Sequence, residues 1–188
     1  SQYYGAKDFE NLRKSLAHSY RLTAFIAAGV LILSQSFASL VLTGLHTPSN
    51  IIGMSLLYLR IIFCGIPATA AYNMFASALR AMGNSKTPLT AMIIASVLNV
   101  SLDILFVAGF GWGVAGAAIA TVIAQSFSAV YCFLILRRID IVHLTRADFM
   151  PASGMNARLM KLGIPVVFQN IIIGVGGLVV QYVINGYG

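Results

Sequence analysis

Asp103 and Asn99 are the residues of this chain whose types and spacing point most directly to chemistry. They lie four positions apart within residues 91–108, a run otherwise apolar except for Ser96 and Ser101. On a helix that spacing places both on one face, one turn apart, where they can meet a common ion, proton or partner group. Asp103 is also the only carboxylate inside any of the candidate membrane spans. An ionisable group at membrane depth costs about 2.5–3.5 kcal/mol even on the lenient insertion scale, so it usually marks an ion pathway or a proton relay. The structural alternative is that Asp103, near the end of its helix, only hydrogen-bonds a neighbouring helix. Asn73, Thr121 and Gln125 pose the same choice. Each either lines a hydrated cavity or bonds across helices, a contact worth on average only ~0.6 kcal/mol in a membrane.

The elements that must position these groups follow from composition. The chain is 59% hydrophobic and 9% charged, with a mean hydropathy of +0.86, whereas soluble domains are about 25% charged. An all-α integral membrane protein is expected, because the apolar runs are about twice the ~9–11 residues of a barrel strand. Five spans are expected, at about residues 22–42, 53–79, 91–108, 114–136 and 162–184. Pro67, in Gly65-Ile-Pro67, should kink the second or open its backbone. The fourth carries Gly116, Ala120, Ala124 and Ser128, a small residue at every fourth position, which lets another helix approach closely. In the fifth, Asn170, Gly174, Gly177 and Gln181 form a polar and small stripe.

Lys7, Arg13, Lys14 and Arg21 precede the first span, Arg80 and Lys86 lie between the second and third, and Arg137, Arg138, Arg146, Arg158 and Lys161 precede the fifth. The two remaining turns have none, so the positive-inside rule puts the basic flanks in the cytoplasm. This dispersal also argues against a nucleic-acid binder, which would cluster its cations on one soluble face despite a net charge of +7. Cys64 and Cys132 are read as small core residues, Arg60 as snorkelling to the interface, and His18, His46 and His143 as solvated. The opening Ser-Gln-Tyr-Tyr, without an initiator Met or a leader, suggests an internal segment of a longer protein.

Several stretches resemble the multidrug and toxic compound extrusion (MATE) family of cation-coupled efflux transporters, in particular its bacterial members. They are Gln2-Tyr-Tyr-Gly-Ala-Lys-Asp8, Gly65-Ile-Pro67 with Tyr72-Asn73, Leu79-Arg-Ala-Met-Gly-Asn-Ser-Lys-Thr-Pro88, Leu98-Asn99 with Asp103, and Phe110-Gly-Trp-Gly113 running on to Gln125. The resemblance implies a twelve-helix, two-lobe transporter. Residues 1–137 would belong to the N-terminal lobe as its third to sixth helices, 138–161 would be the cytoplasmic inter-lobe loop, and 162–188 would be the first helix of the C-terminal lobe. It implies a coupling and cavity cluster at Asp103, Asn99, Asn73, Thr121 and Tyr58, although Tyr58 equally suits the aromatic belt. Ala76 departs from the family, some of whose members have Asn there. Asn170 and Gln181 become candidates for the lobe interface.

The implied activity is secondary efflux of amphiphilic or cationic small molecules in exchange for H+ or Na+, without a cofactor or catalysis. The protein would be a multi-pass cell-membrane protein, monomeric when complete, with membrane lipid and small-molecule substrates as partners and no nucleic acid. A lipid-linked saccharide flippase of the same broad superfamily is the alternative, and clustered cavity arginines would favour it. An intramembrane aspartyl protease would need a second membrane acid.

Overall fold

The computed structural model describes residues 2–44, 49–142, 144–149, 157, 159–161, 163–173 and 176. The chain divides into two compact units, Ser1–Phe149 and Met150–Gly188. In the second unit residues 163–173 are helical, with Asn170 exposed. Gly174, Gly177, Gln181 and, apart from residue 176, the remainder of the expected fifth span lie outside the described residues. The first unit contains four helical segments long and apolar enough to cross a membrane.

A short helix, α1 (Gln2–Gly5), is followed by α2 (Phe9–Gly44). At ~1.5 Å per residue α2 is about 54 Å long, well beyond the ~30 Å hydrocarbon thickness. The basic opening is therefore a continuation of the first span and not a separate flank. Its start is defined by Lys7, which turns the chain at φ 56°, and by Asp8, whose carboxylate accepts the Asn11 backbone N–H at 3.2 Å and side-chain N–H at 2.7 Å. These bonds satisfy donors that the first helical turn leaves free. They also hold the Asp8 carboxyl below its ordinary range, the Asn11 side chain being the larger cause.

The second span is broken into α3 (Ile52–Cys64) and α4 (Ile66–Ala81). Pro67 has no N–H to donate and its ring excludes the carbonyl of the turn before it, so the helix gives way at Gly65. There the Gly65 N–H bonds Ile62 O in a tight turn of 2.9 Å. Gly65 also has a packing reason, since a Cβ would lie 3.0 Å from both Ile62 O and the Val122 side chain. Gln35 of α2 stitches the break from outside, donating to Arg60 O at 2.9 Å and to the Cys64 sulfur at 3.3 Å. Cys64 is exposed, against the expectation of a core residue, its sulfur meeting the Gln35 side chain of α2 at the break; Cys132 is buried as expected.

Leu79-Arg-Ala-Met-Gly-Asn84 forms a compact helix stop. Gly83 adopts φ 84°, Asn84 N–H bonds Leu79 O at 2.9 Å and Gly83 N–H bonds Arg80 O at 3.0 Å, the paired closure of a Schellman motif. Asn84 then turns its side chain forward, and its Oδ1 accepts the Thr87 N–H at 3.1 Å, opening α5 (Lys86–Asp103). A π-helical segment, Ile104–Gly109, follows directly, and α6 (Gly113–Arg137) returns. At the turn Phe106 stacks on Trp112, ring centroids 5.1 Å apart.

Helix α6 is the centre of the unit and packs on α3, α4, α5 and the π segment. Of its most apolar window 33% is buried, against 6–17% in the other spans. Gly116, Ala120, Ala124 and Ser128 are all buried, so the small-residue ridge is the packing seam. The core lies at the opposite, basic end, where Leu12, Leu16, Leu79, Cys132, Leu136 and Val142 meet. Asp140–Val142 and Arg146–Phe149 fold back there as two short 3-10 turns packed on α2, a strap across its basic end. Asp148 holds this strap. It accepts Thr145 N–H at 2.7 Å and Thr145 Oγ1–H at 2.8 Å, and lies 3.8 Å from Arg13 of α2. His18 is buried, not solvated, because the α2 extension packs into the unit. His46 and His143 lie outside the described residues.

Candidate functional site

Helices α4, α5 and α6 line a partly open cavity of about 340 Å3. Each contributes polar side chains at helical spacing: Thr69 and Asn73 from α4, Ser96 and Asn99 from α5, and Thr121, Gln125 and Ser128 from α6. Three of the residues singled out in the sequence, Asn73, Asn99 and Thr121, therefore meet in one place. Gln125, read there as facing something polar, joins them. Thr69, Ser96 and Ser128 were not anticipated as cavity residues. Their signal was their spacing, four before Asn73, three before Asn99 and three after Gln125, but serine and threonine in membrane helices more often bond their own backbone.

The bonds around this cavity link the three helices. The Asn99 side-chain N–H donates to Thr121 Oγ1 at 3.4 Å, while that hydroxyl donates to Ala117 O at 3.0 Å. The Thr69 hydroxyl is hydrogen-bonded to the Gln125 carboxamide and to Gly65 O at 3.2 Å. The hydroxyl donates in both, its one proton shared between the Gly65 carbonyl and the Gln125 side-chain oxygen. The pair thereby ties α6 to the broken point of the second span. It also separates this cavity from another of about 410 Å3 on the α2 and α3 side, which shares Thr69, Asn73 and Gln125.

Asp103 and Tyr58 do not line the 340 Å3 cavity. Asp103 is the last residue of α5, one turn beyond Asn99 and immediately before the π segment. One of its carboxylate oxygens, Oδ1, is buried and has no hydrogen-bond partner among the described residues. Tyr58 is half-buried on α3, and Arg60 is exposed. Ala76, fully buried, leaves no room for a longer polar side chain on the α4 face that carries Thr69 and Asn73.

A family model described as MatE matches residues 1–105, more than half of the chain. The chain belongs to the MatE family. Among relatives of this family, the probable multidrug resistance protein YpnP of Bacillus subtilis is 32% identical over 188 residues, covering 100% of this chain and 42% of its own length. The multidrug export protein MepA of Staphylococcus saprophyticus is 26% identical over 191 residues, again covering all of this chain and 42% of MepA. This chain thus spans less than half the length of the MatE relatives it matches. Among solved structures, the inward-facing conformation of a multidrug resistance MATE family transporter of the MOP superfamily superposes with a TM-score of 0.82 at 24% identity, over 88% of this chain and 38% of that one. An outward-facing conformation gives 0.83 at 23% identity, over 91% and 38%. The fold is that of one part of a MATE transporter, and the family is one of transporters.

Proposed function

We propose that this chain is part of a secondary multidrug efflux transporter that exchanges amphiphilic or cationic compounds for H+ or Na+ by alternating access. The observation that carries the coupling step is the buried, unpartnered Oδ1 of Asp103, beside a cavity lined by Asn73, Asn99, Thr121 and Gln125. A buried carboxylate oxygen without a donor is costly, and binding a proton or a cation removes that cost. Asp103 lies one turn beyond the 340 Å3 cavity, so opening or closing that cavity would change what surrounds the carboxylate. Two access states then differ in ion affinity, as coupling requires. The start of a π segment directly after Asp103 supports this, because such segments allow local changes of helical register and recur at functional sites.

Residues 1–137 are assigned to the first lobe, 138–161 to the connection and 162–188 to the start of the second. On this reading Asn170 and Gln181 belong to the lobe interface, and Tyr58 to the coupling cluster, outside the 340 Å3 cavity. The protein is assigned to the bacterial plasma membrane, monomeric when complete, with its basic ends in the cytoplasm. The relatives' names support the substrate class. The saccharide-flippase reading loses support because, among the described residues, no arginine lines the cavity.

Asp103→Asn keeps the shape and removes the titration. In the complete transporter it should abolish efflux driven by a pH or sodium gradient while preserving folding and drug binding. Wild-type gradient-driven rates in that variant would return Asp103 to a hydrogen-bonding role.

A further inference from the structure

The basic end of the first unit holds two cavities that the coupling site does not use. One, of about 420 Å3, is an apolar slot between α2 and α4, bounded by Ala24, Ala27 and Leu31 on one side and Pro67, Ala71 and Met74 on the other. The other, of about 340 Å3, contains Arg137 at the end of α6, with Val142 and Leu144 of the strap in its wall. Tyr20 and Phe133 line both, so the slot and the basic pocket meet at these rings. Among the described residues no acid lines either cavity, and Arg137 is exposed and forms no ion pair. Of the strap's two acids, Asp148 is already engaged by Thr145 and Arg13, and the side chain of Asp140 lies outside the described residues.

We infer that this track binds one anionic phospholipid, with an acyl chain in the α2–α4 slot and the phosphate on Arg137 beside the Tyr20 hydroxyl. A guanidinium matches a phosphate with two parallel N–H donors, and basic pockets between helices at the cytoplasmic side suit acidic headgroups. The slot selects a lipid over free phosphate, since an inorganic anion would leave its apolar walls uncovered. The cation selects an acidic headgroup over a zwitterionic one. Bound there, the lipid touches α2, α4, α6 and the strap together and fastens the basic end of the bundle. The inference rests on membrane placement alone and is independent of ion coupling.

The test uses the complete transporter, with native mass spectrometry of phosphatidylglycerol and phosphatidylcholine carrying the same chains. Phosphatidylglycerol is expected to be retained preferentially. Arg137→Gln should lower its affinity about tenfold, the equivalent of one charge-assisted hydrogen bond, without changing phosphatidylcholine. Ala71→Phe should fill the slot and displace phosphatidylglycerol. Should that variant misfold, phosphatidylglycerol with a photoreactive acyl chain should still label residues 24–31 or 67–75 of the unaltered protein. Equal retention of both lipids, insensitivity to Arg137→Gln, or absence of labelling because another segment of the transporter fills the slot would overturn the inference. Displacement by millimolar inorganic phosphate would overturn it too, leaving an anion site only.

Discussion

Among the described residues, helix α4 borders three cavities, of which the 340 Å3 cavity and the 420 Å3 slot differ most in chemistry. Its Thr69 and Asn73 face the 340 Å3 cavity shared with α5 and α6, whereas Pro67, Ala70, Ala71 and Met74 face the 420 Å3 slot shared with α2. The two stripes are interleaved in the sequence, each with helical spacing, and a shift of about 100° around one helix separates hydrogen-bonding walls from a nearly apolar groove. The polar face is backed by α6, whose small residues allow backbones to approach. Many residues facing the slot are also small, Ala24, Ala27, Ala70 and Ala71 among them, and the larger Tyr20, Leu31, Met74, Phe75 and Phe133 leave the space between them unfilled. Small residues therefore do two different jobs here, closing one interface and leaving a gap in another.

The sharpest way to break this contrast is at the closed interface. A Cβ at Gly116 would lie 2.9 Å from the Phe106 Cβ and 3.2 Å from its backbone carbon and oxygen, at the point where the π segment meets α6. Gly116→Leu should cost about 1–3 kcal/mol or more by overpacking, seen as loss of folded protein and a lower melting temperature in detergent. Retention of wild-type stability would show that α6 and the π segment do not pack as described.

The chemical difference between the cavities gives the next effect. With Cys64 replaced by Ala, a cysteine at Ser96 should react with a charged methanethiosulfonate on the order of ten times faster than one at Ala70, because thiolate formation needs water. Equal rates would mean that both sides of α4 are equally wet, or equally dry.

The smallest expected effect concerns the strap. The Thr145 backbone N–H, then its hydroxyl and the positive charge of Arg13, hold the Asp148 carboxyl below its ordinary value of 3.8. A depressed carboxyl contributes stability above that value and loses it as the pH falls through the lower folded pKa. The strap should thus hold at neutral pH and loosen only below about 3.8. Asp148→Asn should mimic the acid state at pH 7, raising hydrogen exchange across residues 140–149 by an amount equivalent to about 1 kcal/mol, with the four spans unaffected. No change would make the strap's apolar contacts sufficient by themselves.

Length, hydropathy and punctuation were enough to place the four described spans, because a membrane helix must satisfy its backbone internally over ~20 residues. Pro67 announced the break in the second span, and the spacing of Gly116, Ala120, Ala124 and Ser128 announced the seam, since both effects act through local geometry. The sequence also identified Asn73, Asn99, Thr121 and Asp103 as anomalous in an apolar setting. It could not show that the first three share a cavity with Thr69 and Ser96 while Asp103 sits one turn beyond it. That depends on how α4, α5 and α6 rotate against each other, which is decided by packing between residues far apart in the chain. The same holds for buried His18, exposed Cys64 and the strap on α2. Each was misread or missed because burial is a property of what lies across from a residue, and only the assembled helices supply that.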